Sequence, residues 1–469
     1  MSSRLGPAPV QAPSRVATRF SELLAAAAEG ARRLDGEGVL SLALPLPGVD
    51  PLALLNHLGR AEEFRFLWDS APGLCLAASG RTNSLELSGP RRFELAQRFS
   101  ALSLSRLAAP QPCPPLARPR VLLAFAFFDS PLQDGEGVPG VQAVLPRWQL
   151  SRQGRHCWLR LQRNLGGDCT ARSVAEELWQ QAEDLLRLPA AAPGGPAAQV
   201  LQRSDWQQHY RLAAQQALAL VDEGRLDKLV LAVRQRLELS DPVEPLALLA
   251  PLRLSQTGSC RFLWQRRSGT ALIGASPERL LTVRQGQLRS DALAGTAPCG
   301  DGAGLLASGK DRLEHELVVE TILAVLARAG LEPRRPRRPR LARHGQLVHL
   351  HTPITAALRG HDPLTIAAAL HPTPAVAGLP RREAMGWLRS LEPFERGHYA
   401  APVGWIDAGG DLELRVAIRS GTLRARELIL TAGAGLVRRS LVDRELAEVQ
   451  LKLGVLQQQL NLPTGAELG

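Results

Sequence analysis

The chain has 469 residues, of which 45% are hydrophobic and 22% charged, and its 56 Lys and Arg against 45 Asp and Glu give a formal net charge of +11. That balance fits a large globular protein of two or three domain-sized units and excludes a disordered or fibrous chain; no apolar run approaches the roughly 18–20 residues that span a bilayer. Aromatic residues make up only 4% of the chain and do not interleave with the arginines, so the charge points to an acidic small molecule rather than to a nucleic acid, which needs stacking platforms.

The first half carries few signals of chemistry. Met1–Phe20 lacks the charged-then-apolar pattern of a secretion signal. Cys75, Cys113, Cys157, Cys169, Cys260 and Cys299 show no CxxC spacing, which predicts neither a disulfide framework nor a zinc site, and the cytoplasm is the expected compartment. Two proline-rich stretches, Ala109–Arg120 and Leu188–Pro196, punctuate this half; the second reads as the linker dividing residues 1–195 from a catalytic region at 196–469. An internal repeat crosses that divide. PLALL at Pro51–Leu55 precedes FLW at Phe66–Trp68, and the same pair recurs at Pro245–Leu249 and Phe262–Trp264. Each copy runs on into strand-like text, Gly73–Gly80 and Ala271–Glu278, which predicts two related halves facing each other. Glu278 aligns with Arg81 in that repeat, so the first copy has no carboxylate there and chemistry is expected in the second half.

Beyond the linker, a helical pattern over Asp205–Glu223 ends at Gly224, a C-terminal cap. A leucine- and valine-rich strand over Lys228–Leu239 then puts Lys228 at a strand mouth. A second apolar strand, Leu272–Ala275, delivers Glu278 after Pro277. A carboxyl partly desolvated there has a raised pKa and suits a general acid, and a strand-end salt bridge to an arginine is the plainer alternative. The helix Lys310–Ala329 is predicted to bury Leu313, Leu317, Val318, Leu323 and Leu326, leaving Asp311 and Glu314 on one face. Arg334–Arg340 reads RRPRRPR; its prolines preclude a regular basic helix, so it is a solvated connection. The last helix, Val442–Leu460, buries Leu446, Leu453 and Leu456, with Glu445 and Glu448 again three apart. Two such acidic faces opposite each other could supply oxygen ligands to magnesium, although either pair alone reads as ordinary surface charge.

Only three of the 56 basic residues are lysines: Lys228, Lys310 and Lys452. A composition that uses arginine wherever arginine serves leaves lysine where a permanently charged fork is chemically wrong. All three lie in text that resembles the chorismate-utilising (anthranilate synthase component I-like) enzyme family, most closely its isochorismate synthases. The matching segments are Lys228–Arg234 (KLVLAVR), Ile273–Leu280 (IGASPERL), Leu293–Thr296 (LAGT), Ser308–Glu316 (SGKDRLEHE) and Leu370–Pro380 (LHPTPAVAGLP). Tyr399–Asp407 (YAAPVGWID), Glu413–Ser420 (ELRVAIRS), Ala432–Val437 (AGAGLV) and Glu445–Lys452 (ELAEVQLK) continue in the same order.

The resemblance implies an α+β protein with a large antiparallel β-layered core flanked by helices, the site lying between two related halves. It implies addition of water at ring carbon 2 of chorismate with loss of the 4-hydroxyl, assisted by Mg2+. Lys228 then matches the base that activates water, which requires its pKa to be depressed, and Glu278 matches the acid that protonates the leaving hydroxyl. Glu314 and Glu448 match metal ligands, with Glu445 and Asp311 contacting the ion through water or orienting its shell. Arg419 and Tyr399 match the pair gripping the enolpyruvyl carboxylate, and Gly433 a backbone donor toward it. His349, Thr296, Gly295 and Ala375 fall among the substrate-lining positions, and Lys452 beside the metal-bound carboxylate. Lys310 gains no role. The chain departs from the family pattern in its turn Arg439-Ser440-Leu441-Val442, where a glycine-serine-acid-proline run is expected, in Val449, where a threonine is usual, and in a short Thr296–Ser308 loop. Lys228 argues for water over ammonia as nucleophile, and Pro372–Gly378 argues against a salicylate synthase, which would go on to eliminate pyruvate. A menaquinone or a siderophore pathway is the expected destination. Chorismate is the expected partner, with no nucleic acid or membrane, in a monomer or homodimer.

Overall fold

Leucine- and β-branched-rich runs bounded by glycine turns extend into strands along the whole chain. The computed structural model describes residues 20–34, 38–59, 63–70, 72–130, 138–188, 194–267 and 270–463. Nearly all of Met1–Phe20 and most of the Leu188–Pro196 linker lie outside those residues. Among the described residues twenty strands form one hydrogen-bonded network, with a single parallel pairing, Gly38–Pro45 with Leu107–Ala108.

Four strands of the first half frame the site from a distance: β1 (Arg65–Asp69), β2 (Cys75–Leu87), β3 (Arg120–Phe125) and β4 (Val141–Gln153). The second half begins with helix α1 (Gln207–Asp222), strand β5 (Lys228–Leu239) and helix α2 (Pro245–Ser255). Strands β6 (Cys260–Arg267), β7 (Thr270–Ser276), β8 (Arg279–Arg284) and β9 (Gln287–Pro298) lead to helix α3 (Gly309–Arg328). Strands β10 (Leu347–Ala357), β11 (Pro402–Asp407), β12 (Leu412–Val416), β13 (Ser420–Arg424) and β14 (Glu427–Val437) precede the last helix, α4 (Val442–Gln459).

Two antiparallel arms diverge from β4. One runs β2–β1–β6–β7–β13–β14–β5. The other runs β3–β11–β12–β8–β9–β10. The repeat seen in the sequence sits at the centre of the first arm. Its two FLW triplets pair with each other, Phe66 opposite Trp264, Leu67 opposite Leu263 and Trp68 opposite Phe262. Each triplet strand then hairpins into the next, β1 into β2 and β6 into β7, so the halves meet about a local two-fold. Phe66, Trp68, Phe262 and Trp264 bury against Leu122 and Trp405 of the second arm in one aromatic cluster. That apolar seam is a large contributor to stability, since each buried aromatic removes 150–250 Å² or so from water.

The ends of the two arms carry the site. Helix α3 packs on β9 and β10 and touches β14, while α4 packs on β14 and α1. The N-terminal turns of both helices therefore converge where β5 and β14 run side by side. The face that α3 buries differs from the one its leucines suggest. Leu313 is 48% exposed, and Glu314, His315, Val318, Val319, Ile322 and Leu326 point inward. The inward stripe of Val318, Val319, Ile322 and Leu326 carries Glu314 to Lys228 and Leu313 away from the sheet.

Candidate active site

Lys228 opens β5 at the register position opposite Val437 of β14. Its side chain is 0% exposed and runs under α3, where Nζ stands 2.9 Å from Glu314 Oε1. Gly435 leaves room for this pair: a methyl there would collide with Glu314 Oε1 and come within 2.9 Å of Lys228 Cε. Lys310, in the first turn of α3, lies 2.9 Å from Glu445 Oε1 and 3.8 Å from Glu314 Oε2. Lys452 bonds Glu448 Oε1 at 2.7 Å and donates to the Gly433 carbonyl at 2.8 Å. The three lysines thus contact three of the four acids matched to the metal in the sequence. Counting Asp311, four acids face three lysines.

These pairings set the protonation of the acids. Burial would raise the Glu314 carboxyl, but Lys228 and then Lys310 hold it below its ordinary range. Burial outweighs Lys310 at Glu445 and raises it; burial likewise raises Asp311. Among the described residues no three His, Cys, Asp or Glu side chains stand together as a ready metal cage. The donors nevertheless fit a hard divalent ion in kind. They are carboxylates from two helix ends, and Glu445 Oε2 is buried with no hydrogen-bond partner.

Glu278 lies in the turn between β7 and β8, 4% exposed, its amide donating to Ser276 Oγ at 3.2 Å. Burial pushes its carboxyl up to about 7 against the opposing pull of Lys228 and of a 3.4 Å hydrogen bond from Thr373. The arginine salt bridge considered for Glu278 is not among its contacts; a threonine takes that place. A carboxyl half-protonated near neutrality can donate a proton and is well tuned for general acid work.

Across the cavity, Arg419 adopts φ 50, a left-handed conformation costly for a residue with a Cβ and common where function demands it. Its Nη2 donates to His349 Nε2 at 2.6 Å, so His349 carries its proton on Nδ1 and donates to the Gly295 carbonyl at 3.0 Å. Burial, reinforced by Arg419, holds His349 far below its usual range and keeps the ring neutral. Thr296 Oγ1 lies 3.1 Å from the same Nδ1. Gly295, at φ 74, is a position where the backbone itself favours glycine. Arg419 Nη1 is buried without a partner, a donor held ready for an anion.

A cavity of about 90 Å³ gathers Glu278, Glu314, Glu448, Lys452, Arg419 and His349, and Tyr399, Gly433, Thr296, Gly295 and Ala375 complete its walls among the expected residues. Lys228, Glu445 and Asp311 stand outside that lining, one layer back. Three contributors went unassigned in the sequence: Gly435, Thr373 and Lys310. Gly435 lay inside quoted motif text, and its need for glycine shows only when Lys228 and Glu314 are in place. In the turn before α4, Arg439 takes φ 74 where a glycine was expected, and Ser440 Oγ accepts the Val437 amide at 3.2 Å. Leu441 stands at the helix N-cap with no side-chain hydrogen bond.

The protein family described as Chorismate binding enzyme matches residues 23–461. The chain is 40% identical over 299 residues to the salicylate biosynthesis isochorismate synthase of Pseudomonas aeruginosa, covering 60% of this chain and 61% of that protein. It is 36% identical over 266 residues to the isochorismate synthase MenF of Bacillus subtilis, 55% of each. These alignments therefore span less than two thirds of either relative. Its structure is similar to that of MenF, the menaquinone-specific isochorismate synthase from Escherichia coli, with a TM-score of 0.75 and 26% identity over 93% of this chain and 99% of that one.

Proposed function

The chain belongs to the chorismate-binding enzyme family, and from that membership we propose that it is an isomerase converting chorismate to isochorismate. The observation that carries the reading is an acid on the cavity and a candidate base one layer behind it: Glu278 with its carboxyl raised to about 7, and a buried lysine behind Glu314. Transposition of a hydroxyl needs both, one to take a proton from the attacking water and one to give a proton to the departing oxygen.

Arg419 and Tyr399 grip the enolpyruvyl carboxylate, Arg419 through its unpartnered Nη1. His349, neutral and locked by Gly295, fixes the guanidinium at the angle that contact needs. The apolar wall of Ala375, Val376 and Leu456 excludes water from the rest of the ring. Entering the step as the free amine, its ammonium proton lost to bulk water and its contact with Glu314 exchanged for the nucleophilic water, Lys228 takes a proton as the C2–O bond forms. The ring double bonds shift, the C4–O bond breaks, and Glu278 supplies the proton that makes the leaving group water. Lys228 and Glu278 then return to their starting states by passing one proton back to Glu278. Mg2+, when bound, supplies positive charge that neutralises and orients the ring carboxylate; Glu314 and Glu448 are the residues to hold it, with Glu445 and Asp311 behind them.

The likeness to the menaquinone-specific enzyme over nearly the full chain supports that destination for the product, with siderophore synthesis as the second. Six free cysteines support a reducing, cytoplasmic setting; among the described residues no helix is long and apolar enough to cross a membrane. Purified protein given chorismate and magnesium chloride should yield isochorismate by chromatography. Salicylate with pyruvate, or no turnover, would reject the assignment.

A further inference from the structure

Lys310 stands where local helix chemistry disfavours it. It occupies the first turn of α3, where the helix dipole repels a cation, and it precedes Glu314 by four residues, the weaker order for an intrahelical ion pair. The side chain nonetheless leaves its own helix to bond Glu445 on α4. Lys228 reaches Glu314 from a strand, and Lys452 pairs with Glu448 on its own helix. Lys310 is therefore the lysine that links an acid of α3 to an acid of α4. Glu445 is 2% exposed, and with Oε1 on Lys310 its buried Oε2 remains without a hydrogen-bond partner.

We propose that Lys310 is a positioning residue whose ammonium ties the N-terminal ends of α3 and α4 together, setting the separation at which Glu314 and Glu448 face one cavity. The proposal rests on reading that cavity as the site of a divalent cation and an anionic substrate. Simple charge counting gives the opposite sign. Deleting a cation beside four carboxylates leaves the site more negative and tightens its hold on magnesium. A tie between helices, once cut, lets the carboxylates separate and weakens that hold.

Lys310→Met keeps length without charge, and Lys310→Arg keeps charge and reach. Magnesium chloride titrated calorimetrically into the full-length protein, with no chorismate present, separates the two signs. Lys310→Met should weaken magnesium binding roughly 10–100-fold, the usual effect of losing a residue that orients metal ligands. Lys310→Arg should recover most of that loss. Amide exchange should quicken in the first turns of α3 and α4 in the Met variant alone. At saturating magnesium, the KM for chorismate should return to the wild-type value. A Met variant that binds magnesium as tightly as the wild type, or more tightly, overturns the proposal, as does wild-type protein that binds no magnesium. If Lys310→Met does not fold, Lys310→Met/Glu445→Gln removes the bonded pair together. It should match Glu445→Gln in magnesium affinity, and a clear further loss contradicts the tie. None of the binding readouts needs turnover, so wild-type protein that binds magnesium but makes no isochorismate rejects the proposed function and leaves this inference standing.

Discussion

At Glu278 burial and charge pull in opposite directions, and burial wins, leaving the carboxyl near 7. An acid must be protonated to act, so kcat should fall as pH rises through about 7, as a pH–rate profile would show. Glu278→Gln, which has no proton to give, should lose about 10²–10⁴-fold in kcat with little change in substrate binding; a variant with unchanged kcat removes Glu278 from the chemistry. Lys228 offers a second check. Lys228→Met keeps the bulk but leaves Glu314 buried beside an uncharged neighbour. It should abolish measurable turnover and lower stability by about 3–5 kcal/mol in urea unfolding, the cost of breaking a buried pair. Both residues were legible in the sequence because their types are unusual for their places: a lysine in an arginine-rich chain, a carboxyl after an apolar strand. Lys310 was equally conspicuous and yet uninterpretable, because its partner Glu445 lies 135 positions away, on another helix. Side chains paired across such distances leave no local pattern.

The strand β14 and helix α4 show how backbone supports these side chains. Gly435→Ala places a methyl against the ends of both Lys228 and Glu314, which must shift to admit it. Activity should drop while the far-ultraviolet circular dichroism stays unchanged; near-normal activity contradicts the packing described. The start of α4 is under-capped, with Leu441 in an extended conformation at φ −112 and ψ 125 and 55% exposed. Leu441→Asp supplies the missing acceptor and should stabilise the protein by about 0.5–2 kcal/mol, measurable as a raised melting temperature. The extents of both acid-bearing helices were readable from periodicity to within a residue or so. Their rotation was not wholly so, as Leu313 shows, because the stripe of Val318, Val319, Ile322 and Leu326 takes the inward face. The altered turn at Arg439 was flagged as a threat to Glu445 and Glu448. In the structure Arg439 takes a glycine-like conformation at φ 74, which no propensity favours.

On the scale of the whole molecule, the two halves complete each other. Their FLW strands are direct neighbours, and the buried Arg261 of the second half pairs at 2.9 Å with the buried Asp69 of the first. Asp69 also bonds Arg253 at 2.6 Å. The division at residue 195 thus separates stretches of sequence whose strands are paired. Residues 196–469 expressed alone should show no cooperative thermal unfolding, because Phe262, Trp264 and Arg261 would lose their partners. Co-expression with residues 1–195 should restore it. The repeat made this partly legible: two matching strands announced related halves, but the sequence could not say that they pair with each other. In the proposed reaction a lysine-activated water attacks the ring and a buried glutamic acid releases the old hydroxyl. Turnover of chorismate in water enriched in oxygen-18, followed by mass spectrometry, tests it most directly. Isochorismate carrying one heavy oxygen at C2 is the expected product; unlabelled isochorismate, or salicylate with pyruvate, would contradict the account.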